Sequence, residues 1–136
     1  MRVEHLSLTN FRNYSRLELA MPSGPVLLYG ANAQGKTSIL EAVFFLATGH
    51  SPWTTSDRQL LNWEAEGNVL PFVRISAEIA NRRSRLTKID ITLMREESDP
   101  RLRKQIRVNG VPKRAVDLLG ELNVVMFLPQ DLVMIE

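Results

Sequence analysis

Residues 30–37 carry the clearest chemistry in the sequence. They read Gly-Ala-Asn-Ala-Gln-Gly-Lys-Thr and satisfy the pattern G-x-x-x-x-G-K-[ST] at every fixed position. At typical residue frequencies, a pattern with four fixed positions arises by chance in well under about one in a hundred chains of this length. The residues therefore predict a loop that binds the phosphates of a nucleotide.

Each residue type in this loop has its own physical role. Gly30 and Gly35 permit backbone angles and a close approach that a Cβ would block, so backbone N–H groups can point at phosphate oxygens. Lys36 is suited to bridge the β- and γ-phosphates, the Thr37 hydroxyl to bind Mg²⁺, and Ser38 to donate to the α-phosphate. The predicted nucleotide-contacting residues here are Gly30, Ala31, Asn32, Ala33, Gln34, Gly35, Lys36, Thr37 and Ser38.

The flanks of the loop have the periodicity that such a loop requires. Residues 26–29 form a short apolar run after a proline, which predicts a buried strand. Residues 36–47 have a strong helix pattern, and the partial positive charge at a helix N-terminus attracts phosphate. Strand, glycine loop and helix therefore follow one another in the expected order.

Two alternating stretches before the loop predict further strands. Residues 1–8 alternate with one slip near His5, and residues 16–20 alternate without a slip. Residues 9–14 are turn-like, and the proline and glycine residues of 21–25 predict a second turn. The phosphate loop is thus preceded by a strand, a turn and a strand.

The sequence after the loop helix predicts mostly β-structure. Ser56 or Asp57 is suited to cap a short helix that runs to Trp63. Residues 73–80 and 86–94 alternate on either side of a polar turn, and we expect them to form a β-hairpin.

The last third of the chain adds a further strand to this predicted sheet. A strand is expected at 104–108, after a loop at 96–100, and the Asn-Gly pair at 109–110 is the strongest short turn signal. A short helix at 116–120 and an apolar strand at 122–127 follow.

Composition limits the class of protein. The chain has 136 residues, of which 44% are hydrophobic and 24% charged, as in one ordinary globular domain. There is no cysteine, and two histidines are too few for a histidine metal cluster. No apolar run is long enough for a membrane helix and no signal-peptide pattern opens the chain, so we expect a cytoplasmic location and no membrane partner.

The basic residues are concentrated in one segment. Residues 82–114 contain eleven Lys or Arg residues against four acids. Such a segment could contact DNA phosphates, or it could be the solvated face of a sheet, because its charges alternate with apolar residues. The sequence leaves both interpretations open.

Several motifs together resemble a known family. A strand, turn and strand before the phosphate loop are typical of ABC-type ATPases, and residues 8–14 with 30–42 look like the amino-terminal part of the SMC-like ATPases, in particular the RecF family. Residues 48–61 resemble a following segment of that family, with Trp53 where an arginine is more familiar. Residues 127–132 match its Phe-x-Pro-x-Asp-Leu pattern.

The resemblance implies a fold and a site. It implies the α/β fold of an ABC-type P-loop NTPase, with residues 1–136 as its first lobe and a mixed sheet beside an antiparallel β-subdomain. It also implies ATP and Mg²⁺ as cofactors, Gln130 as a Q-loop residue that holds Mg²⁺ and the attacking water, and Arg12 or Asn13 near the base or phosphates. The implied partners are DNA, a second copy of the parent protein that dimerises on ATP, and recombination mediator proteins.

The segments that an ABC ATPase needs for hydrolysis are missing from these residues. We find no signature segment and no Walker B acid followed by a glutamate, so the chain is expected to bind ATP without turnover while its parent is a DNA-dependent ATPase. A folded interaction module without turnover is a related possibility. A small nucleotide kinase is the alternative, and it would need Arg101, Arg103 and Arg107 to form a lid.

Overall fold

The computed structural model describes residues 1–30, 35–65, 67, 71–83 and 85–127. The helical and strand elements within those ranges are β1 (Arg2–Phe11), β2 (Tyr14–Ala20), α1 (Lys36–Thr48), β3 (Phe72–Ala80), β4 (Leu86–Glu96), β5 (Asp99–Val108), β6 (Val111–Lys113) and two single-turn 3-10 helices (Asp57–Leu60 and Ala115–Leu118). None of the helices in the described ranges is long and apolar enough to cross a membrane.

One sheet joins the six strands in the order β2-β1-β3-β4-β5-β6, and every neighbouring pair is antiparallel. The predicted hairpin is confirmed, because β3 and β4 pair from Phe72 opposite Met94 to Ala80 opposite Leu86. The predicted slip in β1 is a bulge between Val3 and His5 in the pairing with β3. β3, β4 and β5 are the strands of the antiparallel β-subdomain that the resemblance implied, and β1 and β2 belong to the same sheet.

The inner face of the sheet forms the core with α1. Leu8 on β1, Ile75 on β3 and Ile91 on β4 are fully buried, as the alternating pattern predicts. Phe45 and Leu46 of α1 belong to the same buried cluster. The sheet and the helix that follows the phosphate loop therefore share one core, so the sheet is the support for that helix.

The Asn-Gly turn joins β5 to β6 as predicted. Asn109 has φ 50° and Gly110 has φ 79°, and two successive positive values are the signature of the type I′ hairpin turn. The Asn109 side-chain oxygen also accepts from the backbone N–H of Lys88 at 2.8 Å, which attaches this turn to β4.

Two predicted strands are not formed among the described residues. Residues 26–29 are not a strand, and Leu27 and Tyr29 are 82% and 86% exposed. Residues 122–127 are also irregular, with Val125 86% and Phe127 82% exposed. An apolar run becomes a strand only when a neighbouring strand accepts and donates its backbone hydrogen bonds, and neither run has such a neighbour in the described part of the chain.

Other predicted boundaries were also wrong, including the start of β5, which lies at Asp99 instead of residue 104. The turn expected at 9–14 contains only two residues, because β1 continues to Phe11 and β2 begins at Tyr14. The helix expected to reach Trp63 is one 3-10 turn, and Ser56 occupies its N-cap position without a side-chain cap bond. The physical reason for the early end is a β-bridge between Leu61 and Phe11, which requires extended backbone.

Candidate nucleotide-binding site

Gly35 lies between the phosphate loop and α1. It is the N-cap residue of α1 and adopts the left-handed conformation, with φ 87° and ψ 7°. A Cβ on Gly35 would lie 2.5 Å from Cζ of the Tyr14 ring, so the ring would have to shift to admit a side chain there. Two features therefore favour glycine, namely the backbone angle and the ring of Tyr14. Burial raises the pKa of the Tyr14 phenol.

Lys36 is the first residue of α1, and its side chain contacts Gly30. Its Nζ donates to the backbone carbonyl of Gly30 at 2.5 Å, so its charge lies beside the first residue of the motif. Thr37 is exposed and Ser38 is half-buried on the same first turn of the helix. The ammonium, two hydroxyls and the unpaired N–H groups of a helix N-terminus thus lie together.

These groups line one cleft of about 540 Å³. The residues that line it are Arg12, Asn13, Gly35, Lys36, Thr37, Ser38, Gln59, Leu61 and Trp63. The structure therefore brings the β1–β2 turn against the first turn of α1, and the Ser38 hydroxyl donates to the Asn13 side-chain oxygen at 3.3 Å. All of the described residues predicted to contact nucleotide except Gly30 line this cleft.

Arg12 is held by a buried carboxylate of α1. Its Nε and Nη2 each donate to one carboxylate oxygen of Glu41 at 2.8 Å, and its Nη1 donates to the Gln59 carbonyl at 3.0 Å. Glu41 is only 1% exposed, and it also accepts from the Ser51 hydroxyl at 2.7 Å. The hydrogen bond with Glu41 raises the pKa of Arg12, although burial acts in the opposite direction.

This cluster connects three parts of the chain around the cleft. Glu41 belongs to α1, Arg12 to the β1–β2 turn, and Ser51 and Gln59 to the segment after α1. Ser51 in turn accepts from the backbone N–H of Trp53 at 3.0 Å. The guanidinium of Arg12 thus lies at the cleft with a fixed orientation, and its contact with a nucleotide stays a prediction.

Sequence reasoning missed Glu41, Ser51, Gln59, Tyr14 and Trp63 as residues around the cleft. One signal could have found Glu41. An acid in the middle of the apolar helix run 39–47 is expected to be buried only with a cationic partner. The predicted site residues Ala31, Asn32, Ala33, Gln34 and Gln130 lie outside the described residues.

The outer face of the sheet carries several of the basic residues. A groove of about 570 Å³ crosses this face, and its lining includes Arg74, Arg95 and Arg107. Arg74 is paired with Asp90 at 2.8 Å. Arg101 and Arg103 lie on β5 together with Arg107, with side chains 91% and 71% exposed for the first two. The three arginines that a kinase lid would need are therefore part of a sheet strand.

Comparison with known protein families shows the class of protein to which this chain belongs. Residues 5–130 match the family model described as an AAA domain, and the chain belongs to that family. The fold, with α1 starting at Lys36 within the glycine-lysine-threonine motif, fits that assignment.

The comparisons then point to one kind of protein within this class. The chain is 43% identical to the DNA replication and repair protein RecF of Chloroflexus aurantiacus, over 100% of this chain and 36% of that protein. It is 44% identical to RecF of Herpetosiphon aurantiacus over 97% of this chain and 36% of that protein, and 40% identical to RecF of Clostridium novyi over 97% and 34%. The resemblance to the RecF family is confirmed.

A solved structure confirms the fold class. The structure of the recombination mediator protein RecF with ATP, from the RecFOR pathway, superposes with a TM-score of 0.79 at 27% identity, covering 98% of this chain and 34% of that one. The chain thus spans about a third of the length of the relatives that it matches.

Proposed function

We propose that this chain is the ATP-binding lobe of a RecF-type DNA repair and recombination ATPase. The main support for this proposal is the cleft between the start of α1 and the β1–β2 turn. It is lined by Lys36, Thr37 and Ser38 from α1 and by Arg12 and Asn13 from the turn. ATP is named as the nucleotide because the matched RecF structure is described as an ATP complex. The role in repair comes from the names of the relatives.

The residues at the cleft have the chemistry that a nucleoside triphosphate needs. Lys36 supplies a cation beside Gly30, and the N-terminus of α1 supplies free N–H groups and a partial positive charge. Ser38, which is hydrogen-bonded to Asn13, is proposed to donate to the α-phosphate. Arg12 adds a second positive charge whose orientation is held by Glu41.

Mg²⁺ fits the donor set. The Thr37 side chain is exposed at the first turn of α1, and a hydroxyl together with phosphate oxygens and water is the hard oxygen set that this ion prefers. Mg²⁺ would neutralise charge on the phosphates when bound. Thr37 would hold it, and Gln130 is proposed as its second protein ligand.

Calorimetric titration of the 136-residue chain with ATP and Mg²⁺ tests the proposal. We expect binding by the wild-type chain and none detectable for Lys36→Ala, because the substitution removes the cation at the loop. Lys113→Ala is the matched control, since Lys113 is exposed on β6, outside the residues that line the cleft. Equal ATP affinity of Lys36→Ala and wild type would exclude the proposed phosphate site.

A phosphate-release assay on the same sample tests whether this chain binds ATP without hydrolysing it. We expect binding without turnover from this chain, because a base for water and a second subunit closing over the γ-phosphate are required for hydrolysis. Steady turnover, retained through purification and lost in Lys36→Ala, would show that the catalytic acid lies within these 136 residues.

DNA contact is proposed for the basic outer face of the sheet. Its support is the high exposure of Arg101 and Arg103 on β5, and the groove that Arg107 lines beside Arg74. Reversing Arg101, Arg103 and Arg107 to Glu is expected to weaken DNA binding, and to reduce the salt slope by about 0.9 for each duplex phosphate that the protein no longer neutralises.

Arg16→Glu on the far strand β2 is the control for that experiment, since Arg16 is 77% exposed but belongs to the opposite edge of the sheet. An unchanged salt slope in the triple variant would identify the basic face as an ordinary solvated surface.

The other predicted partners are proposed for the whole parent protein. We propose that the parent dimerises on ATP, acts in the cytoplasm, and meets recombination mediator proteins. The link to recombination mediators is supported by the description of the matched structure as a recombination mediator in the RecFOR pathway, whereas dimerisation is what the resemblance to the RecF family implies. The kinase alternative is not favoured, because the arginines it would use for a lid lie on β5.

A further inference from the structure

Trp63 is a large aromatic residue that the fold leaves in solvent. It is 75% exposed, and it lines the same cleft as Lys36, Thr37 and Ser38. The other tryptophan of the chain, Trp53, is 39% exposed and does not line this cleft. An exposed indole beside a polar, phosphate-binding helix start is an available apolar surface for a flat ligand group.

The backbone around Trp63 is anchored on both sides. Leu61 pairs with Phe11 in a β-bridge, and the Asn62 backbone N–H donates to the Asn10 carbonyl at 2.8 Å. On the other side, the buried Ala65 donates its N–H to the Asn62 carbonyl at 2.9 Å. The backbone that carries Trp63 is therefore held at the end of β1.

The order of the phosphate groups gives the direction of the rest of the nucleotide. If Lys36 binds the β- and γ-phosphates and Ser38 the α-phosphate, the ribose and base must continue past Ser38, away from Gly30. The Ser38 hydroxyl donates to Asn13 of the β1–β2 turn, and the same cleft is also lined by Gln59, Leu61 and Trp63, which are therefore available to the ribose and base. The cleft volume of about 540 Å³ is within the range for small-molecule sites.

We infer that the indole of Trp63 stacks on the base of the bound nucleotide. Among the residues that line the cleft, Trp63 is the aromatic one. Every nucleobase has a π-face, so stacking would add affinity for nucleotides over inorganic phosphates without selecting strictly among bases. The inference rests on the proposed function, since it requires that the phosphates bind at Lys36 and Ser38.

The first experiment compares ATP with inorganic tripolyphosphate, which has the phosphates but no base, by calorimetry with Mg²⁺. For Trp63→Ala we expect ATP affinity to fall by about 5- to 150-fold, the range of one base–aromatic stack, and tripolyphosphate affinity to stay at the wild-type value. Trp63→Phe, which keeps a smaller ring, is expected to recover most of the ATP affinity.

Each other outcome has a distinct meaning. Unchanged ATP affinity in Trp63→Ala would overturn the stacking inference and leave the proposed function intact. An equal loss for both ligands would also overturn it, because the tryptophan would then be supporting the phosphate site. A wild-type chain that binds neither ligand would overturn the proposed function itself.

Tryptophan fluorescence provides a second readout with a matched control. The chain has two tryptophans, so Trp53→Phe isolates the signal of Trp63 and Trp63→Phe isolates that of Trp53. We expect ATP to quench the Trp53→Phe variant, and tripolyphosphate to leave it unchanged. Quenching by ATP that survives in Trp63→Phe and disappears in Trp53→Phe would assign the contact to the wrong tryptophan and overturn the inference.

Discussion

The strands of the antiparallel sheet and the two apolar segments at 26–29 and 122–127 were all predicted to be strands, but their structures differ. On the inner face of the sheet, Ile75, Ile89 and Ile91 are fully buried and their backbones are paired on both sides. In the two segments, Leu27 and Phe127 have the same apolar character but are each 82% exposed. Both regions read as strands from the sequence, and only the first one forms strands in the described part of the chain.

The difference shows what a hydrophobic pattern needs in order to become a strand. Each hairpin of the sheet closes on a neighbour nearby in sequence, as β3 does with β4 and β5 with β6. A strand before a phosphate loop must instead pair with a strand that is distant in sequence. Around the cleft, side-chain contacts such as Arg12 with Glu41 hold the chain together with the single β-bridge between Leu61 and Phe11.

The largest expected difference between the two regions comes from truncating one side chain in each of them. Ile91→Ala removes a fully buried side chain from the centre of the sheet and is expected to lower the free energy of unfolding by about 2–5 kcal/mol. Leu27→Ala is expected to change it by no more than about 0.5 kcal/mol, because Leu27 is 82% exposed. Urea unfolding measures both, and similar losses would mean that residues 26–29 are packed in solution.

Two glycine substitutions test how tightly Gly35 is packed against the ring of Tyr14. Gly35→Ala has to adopt φ 87° and meets the Tyr14 ring, whereas Gly24→Ala adopts φ 92° in open space. We expect about 1–2 kcal/mol of destabilisation from the backbone angle in both, and a further 1–3 kcal/mol, roughly, for Gly35→Ala from overpacking. Equal losses in thermal or urea unfolding would show that the ring of Tyr14 moves away without cost.

The carboxylate beneath the cleft is the next test. Glu41→Gln keeps the size of the side chain but removes the charge that binds Arg12, and we expect a loss of about 1.5–3 kcal/mol in the free energy of unfolding. Glu64→Gln is the control, because Glu64 is exposed. A loss no greater than that of the control would show that the cleft does not depend on this ion pair.

The smallest expected effect is a change in the pH dependence of stability through Glu18, on the outer face of the sheet. Hydrogen bonds from His5 first, and then from Ser7, lower the pKa of Glu18 below its ordinary value of 4.5. A carboxyl group whose folded-state pKa is lowered stabilises the fold above its ordinary pKa, and this contribution is lost as the pH falls through the lowered value.

Glu18→Gln should therefore reduce the loss of thermal stability on acidification below about pH 4.5. Glu78→Gln, an exposed substitution on β3, should leave that loss unchanged. Identical melting-temperature profiles for Glu18→Gln and wild type would mean that the hydrogen bonds of Glu18 do not persist in solution.

The sequence by itself determined the phosphate-loop motif, the helix after it and most of the antiparallel sheet. Residues 73–80 and 86–94 alternate as the two strands of a hairpin do, and the Asn-Gly pair at 109–110 favours two positive φ values. The family resemblance also followed from short motifs, because the glycines, lysine and hydroxyls of a phosphate loop have few substitutes.

Only the tertiary structure decided which residues surround the motif. Arg12 and Glu41 are 29 positions apart in sequence, and nothing local indicates that they pair. The space that Gly35 leaves is filled by Tyr14, and Trp63 reaches the cleft because Leu61 bridges to Phe11. These contacts depend on how the β1–β2 turn packs on the start of α1, and the packing of distant segments leaves no periodic signal in a single sequence.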